Sequence, residues 1–290
     1  MLPKSSWGTL LLAYKLVLGV GRPTFVRLMK WPFLALLAGM VCQVLVISAG
    51  EPGPDGGVQL PPLGQALSLV VQLASGVVVL AGMTAWARWV VEPNAPARFQ
   101  WQRSEWVTLG RLVQVYLLGL VAGVAAAAAV LAVLSLLLSG SGPGPDAGTG
   151  GDPLGLAGLG MAGFLPFLAA LAVVLAVWVR FCLSPVAAAV GAPSDLALAA
   201  QAGRAGRWHM FWTAVLFVPT ALAAMLPLLV AGLMIVTLLT SFAASPFMAS
   251  VWSNILLSVM YIPIGLGLYG VFVAVFCIYY RWLVVKDLSH

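Results

Sequence analysis

The sequence has 290 residues, of which 62% are apolar and 8% are charged, and its mean hydropathy is +1.06. A soluble domain carries about a quarter charged residues, so this composition excludes a soluble fold and predicts a chain embedded mainly in lipid. The formal net charge of +6 follows from membrane orientation, so it gives no support for nucleic-acid binding.

The first predicted element is an apolar helix from Trp7 to Val20, which breaks at Arg22-Pro23 before the first membrane span. A cleaved secretory signal is disfavoured because Lys15 interrupts the apolar stretch and no small-residue cleavage site follows it. Residues 1–30 are therefore predicted to form an amphipathic segment on the cytoplasmic side of the membrane.

Six segments lack charged residues and are long enough to cross roughly 30 Å of hydrocarbon as helices. They are residues 31–50, 64–87, 112–139, 155–179, 210–240 and 255–280. The predicted fold is all-α: one polytopic bundle over residues 1–290, with helices 1–3 in 31–139 and helices 4–6 in 155–281. A Gly- and Pro-rich outer loop (140–154), a cytoplasmic connection (180–209) and a cytoplasmic tail (282–290) complete it.

Basic residues indicate how the bundle is oriented. All fourteen Lys and Arg residues precede span 1, follow span 6, or lie between spans 2 and 3 or 4 and 5. The other three connections carry only acidic charges, at Glu51, Asp55, Asp146 and Asp152. This positive-inside pattern predicts a multi-pass membrane protein with both termini in the cytoplasm. Orientation and weak contact with anionic headgroups, about 1 kcal/mol for each residue, are sufficient to explain these charges.

The second, fourth and sixth spans end in similar motifs, in which an aromatic residue stands two positions before an arginine. The motifs are Trp86-Ala87-Arg88-Trp89, Trp178-Val179-Arg180-Phe181 and Tyr279-Tyr280-Arg281-Trp282. They suggest three tandem helical hairpins. The alternative is convergence, because any helix that ends at the inner interface favours an aromatic ring with an arginine beyond it.

The predicted spans contain prolines and glutamines but no charged residue near their centres. Gln43, Gln72 and Gln114 are the strongest polar groups in or near spans. Prolines interrupt the last three spans and could shape a cavity or hinge together with Gln114, although such prolines are also common in ordinary membrane helices. The candidate cavity residues are Gln114, Pro166, Pro219, Pro227 and Pro263.

Residues suited to catalysis are scarce. Ser184, Asp195 and His209 share one connection, but their spacing matches no known catalytic motif. Cys42, Cys182 and Cys277 are predicted to be free thiols. We therefore expect no enzyme activity, no metal site and no cofactor.

The connection between spans 4 and 5 carries the most distinctive polar residues. Pro193-Ser194-Asp195 predicts a helix start, followed by a headgroup-level helix that ends in basic residues. The candidate contacts for anionic lipid or a protein partner at the cytoplasmic face are Arg88, Arg180, Arg204, Arg207, Trp208 and Arg281.

The order Arg180-Phe181-x-x-Ser184-Pro185, then the Asp195 helix, then Gly206-Arg207-Trp208 is similar to a known membrane domain. It resembles the domain associated with glycerophosphoryl diester phosphodiesterases and its stand-alone bacterial relatives. The N-terminal stretch AYKLVLGVGRPTFVRLMKWPFLALL resembles the opening segment of those proteins. The Ser-Trp pair of that pattern is replaced near Ala200-Gln201-Ala202. The 290 residues contain no counterpart of the soluble phosphodiesterase barrel, so the hydrolase activity cannot be carried over from that family. What the resemblance implies is a six-helix domain of the bacterial inner membrane.

Two hypotheses for function follow. The first is a non-enzymatic accessory or scaffold protein that contacts anionic lipid or a partner subunit at its cytoplasmic face. The second is a transporter or lipid-handling protein with a cavity formed by the proline-containing helices 4–6. Neither the ligand, the partner nor the oligomeric state follows from the sequence.

Overall fold

The computed structural model describes residues 5–48, 51–52, 58–59, 62–94, 98–99, 101, 103–139, 153–242 and 246–285. Its helices are α1 (Ser6–Lys15), α2 (Arg22–Ser48), α3 (Pro62–Val91), α4 (Arg103–Ser139), α5 (Pro153–Phe181), α6 (Leu183–Ala189), α7 (Leu196–Ala202), α8 (Arg207–Phe242) and α9 (Pro246–Tyr280). Two π-helical segments follow α1 and α9, at Leu16–Val20 and Arg281–Val285. Strands β1 (Glu51–Pro52) and β2 (Val58–Gln59) form a short antiparallel pair between α2 and α3.

Six helical stretches are long and apolar enough to cross a membrane, as predicted. They are Arg22–Val46, Pro62–Val91, Arg103–Ser135, Phe164–Ala189, Arg207–Leu238 and Ile255–Val285. The predicted all-α class, with six helices long and apolar enough to span a membrane, is therefore confirmed among the described residues. The predicted outer loop 140–154 lies almost wholly outside the described residues.

Helices α2, α4 and α9 each begin nine residues before the approximate starts predicted for spans 1, 3 and 6, which were 31, 112 and 255. Spans 1 and 3 were expected to begin at residues 31 and 112, whereas α2 begins at Arg22 and α4 at Arg103. The expected starts follow the last charged residue, but a helical backbone continues through charged positions whose side chains reach the interface or pair internally. The predicted helix after Asp195 is also shorter than expected, because turns separate α7 from α8.

Prolines were predicted to interrupt the last three spans, but in the structure each of them lies inside a continuous helix. Pro166 lies within α5, Pro219 and Pro227 within α8, and Pro263 within α9. Beside Pro219, the Thr220 hydroxyl donates to the carbonyls of Leu216 and Phe217 at 3.1 and 2.8 Å. The Thr220 hydroxyl therefore donates hydrogen bonds to the helix backbone close to Pro219, which has no backbone N–H group of its own.

Consecutive long helices pack against each other: α2 with α3, α4 with α5, and α8 with α9. Glycines permit close approach, since a Cβ atom at Gly39 would lie 2.9 Å from Ser75 Oγ and one at Gly123 would lie 2.7 Å from Val174 Cγ2. Whether these pairs are true tandem repeats stays a prediction.

One end of the bundle, here called the basic end, brings together the starts of α2, α4 and α8 and the ends of α3, α5 and α9. Phe25, Trp86 and Gly270 meet there, and the Thr213 and Tyr279 hydroxyls are 2.7 Å apart. Most of the buried apolar residues lie in this half, including Leu28, Trp86, Leu183, Met210 and Tyr279. The half of the bundle away from the basic end is here called the remote half.

Helix α1 packs against α8 and α9 near the basic end. Leu10 and Ala13 are fully buried, and Tyr14 Oη donates to Thr220 Oγ1 at 3.4 Å. Its exposed side includes Trp7 and Leu11. This largely apolar outer surface differs from the amphipathic segment predicted for residues 1–30.

Candidate functional site

Arg88, near the end of α3, is bound inside the basic end. Its Nε donates to the Ala189 carbonyl in α6 at 2.7 Å, and its Nη2 donates to Ser104 Oγ at 2.6 Å. The same nitrogen forms an ion pair with Glu105, which is 0% exposed. Arg88 therefore joins α3, α4 and α6, and its hydrogen bonds do not support the predicted role in binding headgroups.

Arg111 forms a second polar junction, between α4 and the segment that leads into α7. Its Nη2 lies 3.1 Å from Asp195 Oδ1, and its Nε donates to Ser194 Oγ at 3.3 Å. Its Nη1 donates to Gln114 Oε1 at 2.9 Å. Asp195 occupies the predicted N-cap position of α7, but its side chain makes no capping hydrogen bond. It binds Arg111 instead.

Arg207 and Arg281 contact backbone carbonyl groups. Arg207 Nη2 donates to the Ala200 carbonyl at 3.3 Å, and Arg281 Nη1 donates to the Val90 carbonyl at 3.4 Å. These bonds attach the start of α8 to α7 and the end of α9 to α3. Like Arg88, both residues were predicted as lipid or partner contacts and have partners within the fold.

The other three predicted contact residues face outward. Arg180 is exposed, and its guanidinium carbon lies 5.4 Å from the ring centroid of Phe181. Arg204 is exposed, and Trp208 is 67% exposed and stacks on Phe211. These groups are positioned for contact with headgroups or another protein.

The three residues considered for catalysis have separate partners. Ser184 Oγ donates to the Ser194 carbonyl, and Asp195 binds Arg111. The exposed His209 ring lies 6.5 Å from the Trp282 ring. Cys42, Cys182 and Cys277 are free thiols, as predicted. Among the described residues, no group of three or more His, Cys, Asp or Glu side chains could hold a metal ion.

The residues predicted to form a cavity do not converge on one. Gln114 is an exposed partner of Arg111, while Pro219 and Pro227 lie on the exposed side of α8 and Pro166 is buried in α5. Pro263 does line a groove, which lies between α2 and α9.

This α2–α9 groove has a volume of about 380 Å³ and combines an apolar lining with two cations. Its apolar residues are Phe25, Val26, Met29, Phe33, Pro263 and Leu266, and its basic residues are Arg27 and Lys30. Both basic side chains are exposed, and their i, i+3 spacing places them on one side of α2. The groove therefore presents positive charge beside an apolar channel.

A second cavity, of about 400 Å³, lies in the remote half between α2, α3 and α9. Its polar lining consists of Gln43, Gln72, Ser75, Ser258 and Tyr261, and its remaining lining consists of Leu36, Gly39, Met40, Gly76 and Ile262. The structure thus brings together two of the three glutamines noted in the sequence. We call this space the polar cavity.

Comparisons with protein-family models, curated proteins and solved structures give no match to this chain. The likeness to the phosphodiesterase-associated membrane domain consequently stays a resemblance in a few motifs.

Sequence inspection missed Arg27 and Lys30 as members of a groove and Glu105 as the partner of Arg88. A usable signal existed for the first pair, because two basic residues at helical spacing stand beside Trp31 at the start of an apolar helix. For Glu105, the signal was a carboxylate next to a membrane span, which is costly unless it is paired. Its partner could not be identified from sequence.

Proposed function

We propose that the chain is a non-enzymatic, multi-pass protein of a bacterial inner membrane that binds an anionic phospholipid at its basic end. In this proposal both termini lie in the cytoplasm, because the positive-inside pattern places the basic end on that side. The observation that carries the proposal is the α2–α9 groove, in which Arg27 and Lys30 border an apolar lining.

The groove has side chains suited to both parts of an anionic lipid, the phosphate group and the acyl chain. Arg27 and Lys30 supply positive charge and several N–H donors for a phosphate group. Phe25, Phe33 and Leu266 provide apolar surface for the first part of an acyl chain. A volume of about 380 Å³ lies within the usual range of about 300–1,000 Å³ for small-molecule sites.

The outward-facing Arg180, Arg204 and Trp208 have a supporting role in this proposal. Exposed basic residues attract an anionic membrane surface by about 1 kcal/mol each, without selecting one lipid. They would hold the basic end at the headgroup layer, while the groove would retain one particular lipid.

The test is native mass spectrometry of the protein released from lipid nanodiscs containing phosphatidylglycerol and phosphatidylcholine. We expect one retained phosphatidylglycerol for each chain. The double variant Arg27→Gln, Lys30→Gln should lose about tenfold or more in occupancy, because it removes two charge-assisted contacts.

The matched control is Lys15→Gln, Arg103→Gln, which removes the same charge from two exposed positions outside the groove. This variant should keep the retained lipid. Equal losses in both double variants would show diffuse surface attraction and contradict the proposal, as would equal retention of phosphatidylcholine.

We also propose that the chain has an accessory or scaffold role. We further propose that it is related to the phosphodiesterase-associated membrane domain. The resemblance supports a six-helix membrane domain. A protein subunit that co-purifies in fixed ratio would support the accessory role, and its absence from gently solubilised native membranes would contradict it.

The polar cavity favours a second candidate function, which is transport or lipid handling. Hydrogen-bonding side chains gathered within the spans are typical of substrate sites. The prolines of α5 and α8 give this function no support, because they do not line the polar cavity.

A further inference from the structure

The polar cavity has hydrogen-bonding capacity that the described residues do not fill. Gln43 and Ser258 make no side-chain hydrogen bond to another described residue. Gln72 Nε2 donates to Ser68 Oγ at 3.4 Å, which leaves a second N–H and the amide oxygen of Gln72 for a ligand. Ser75 Oγ donates to the Ala35 carbonyl at 3.1 Å, and Tyr261 Oη donates to the Leu228 carbonyl at 3.4 Å. Each of these two hydroxyl oxygens can still accept a hydrogen bond. The cavity therefore offers amide donors and several acceptors to a ligand.

Among the described residues, the lining of the polar cavity contains no Asp, Glu, Lys, Arg or His. An ion placed in a membrane span without a counter-charge is strongly destabilised. The ligand that fits this site is therefore uncharged, and it carries groups that both donate and accept hydrogen bonds. Hydroxyl groups have this property.

The position of the polar cavity indicates how a ligand would enter. Gln43 lies about 30 Å along α2 from Arg22, so the cavity is far from the basic end. Gln72 and Gly76 on its α3 side are exposed, and Leu36, Met40 and Ile262 provide apolar surface. An opening between apolar helices admits a ligand from the surrounding lipid more readily than from water.

From these features we propose that the polar cavity binds the hydroxyl-bearing head of an uncharged lipid. The amides of Gln43 and Gln72 would hydrogen-bond the hydroxyl group, and the apolar residues would contact the first part of the chains. This site is separate from the α2–α9 groove and does not depend on the anionic lipid proposed there. A protein with both sites would hold two chemically different lipids against the same two helices, α2 and α9.

Photo-crosslinking tests this proposal. The full-length protein is placed in phosphatidylcholine nanodiscs with a diacylglycerol that carries a photoreactive group near its glycerol, and labelled peptides are mapped. We expect labelling of α2, α3 or α9 near the polar cavity, with competition by unlabelled diacylglycerol but not by phosphatidylglycerol. The double variant Gln43→Leu, Gln72→Leu should label about tenfold less, the loss expected for two missing hydrogen bonds.

A second variant fills the space without removing a polar group. A Cβ atom at Gly76 would meet nothing within 4 Å, so Gly76→Leu can enter the polar cavity without a clash at that atom. Gly265→Leu is the matched control, because Gly265 is also in open space but is not part of the cavity lining. Gln114→Leu is the control for loss of a glutamine within a span. Gly76→Leu should block labelling and both controls should retain it.

Two outcomes would overturn the proposal. One is labelling spread evenly over the lipid-facing helices. The other is cavity labelling that persists in both Gly76→Leu and Gln43→Leu, Gln72→Leu. Because Arg27 and Lys30 are unchanged in these variants, native mass spectrometry of the same variants from nanodiscs that contain phosphatidylglycerol distinguishes failure here from failure of the anionic-lipid proposal.

Discussion

Arg88 and Arg111 both pair with a carboxylate at the basic end. The two pairs contribute differently to the stability of the fold because their carboxylates differ in burial. Glu105, the partner of Arg88, is 0% exposed, whereas Asp195, the partner of Arg111, is 69% exposed. Water and salt screen the second pair, and such pairs contribute about 0–1 kcal/mol. A buried pair contributes little net stability when intact, but removing one partner leaves an uncompensated charge.

Replacing Glu105 with alanine should therefore lower the free energy of unfolding by about 3–5 kcal/mol, because Arg88 would lose its counter-charge and a buried cavity would form. Thermal unfolding in detergent, followed by intrinsic tryptophan fluorescence, measures the effect. Glu92→Ala is the control, since it removes one carboxylate from an exposed position at the same end. Equal melting temperatures for the two variants would show that the Arg88–Glu105 pair does not stabilise the fold.

At the scale of elements, the contact between α2, α3 and α9 depends on one glycine. A Cβ atom at Gly270 would lie 2.3 Å from Phe25 Cε2. The Phe25 ring packs edge-on against Trp86 at 5.0 Å, and Trp86 Nε1 donates to the Gly270 carbonyl at 3.0 Å. Because Gly270 has no side chain, Phe25 of α2 and Trp86 of α3 can both pack against α9.

Gly270→Ala should destabilise the protein by about 1–3 kcal/mol, because the new methyl group would displace the Phe25 ring. Gly267→Ala on the same helix should be neutral or stabilise the protein by up to about 1 kcal/mol, since its Cβ meets nothing within 4 Å and alanine favours helix. Differential scanning fluorimetry of the two purified variants gives the comparison. Adding Phe25→Leu to Gly270→Ala should recover part of the loss, and identical behaviour of the two glycine variants would refute the packing argument.

At the scale of the whole molecule, the described part of the bundle is densely packed near the basic end and more open in the remote half. Buried side chains are concentrated at the ends of α3 and α9, on α6 and at the start of α8. Polar junctions at Arg88 and Arg111 reinforce this packing. The polar cavity lies where α2, α3 and α9 have fewer buried neighbours. If the polar cavity binds a lipid as proposed above, the more open remote half would give that lipid access from the membrane.

The collection of basic residues at one end predicts the orientation of the whole bundle. In a variant with Cys42, Cys182 and Cys277 replaced by alanine, a cysteine at position 146 should react with a membrane-impermeant maleimide in intact cells with a permeabilised outer membrane. A cysteine at position 204 should react only after the inner membrane is opened. The reverse pattern would place the basic end outside and contradict both the topology and the cytoplasmic lipid site.

The sequence by itself determined the all-α class and the six apolar helices, because span length and hydropathy are local properties of the chain. The side of the membrane on which the basic residues fall stays a prediction from their positions along the chain. The tertiary structure alone decided which arginines face outward and which are bound internally. Arg88, for example, contacts a carbonyl group 101 residues away. The polar cavity also depends on the tertiary structure, since Gln43, Gln72 and Ser258 come together only when α2, α3 and α9 pack. Such contacts depend on the crossing of helices distant in sequence, which hydropathy and motif spacing do not encode.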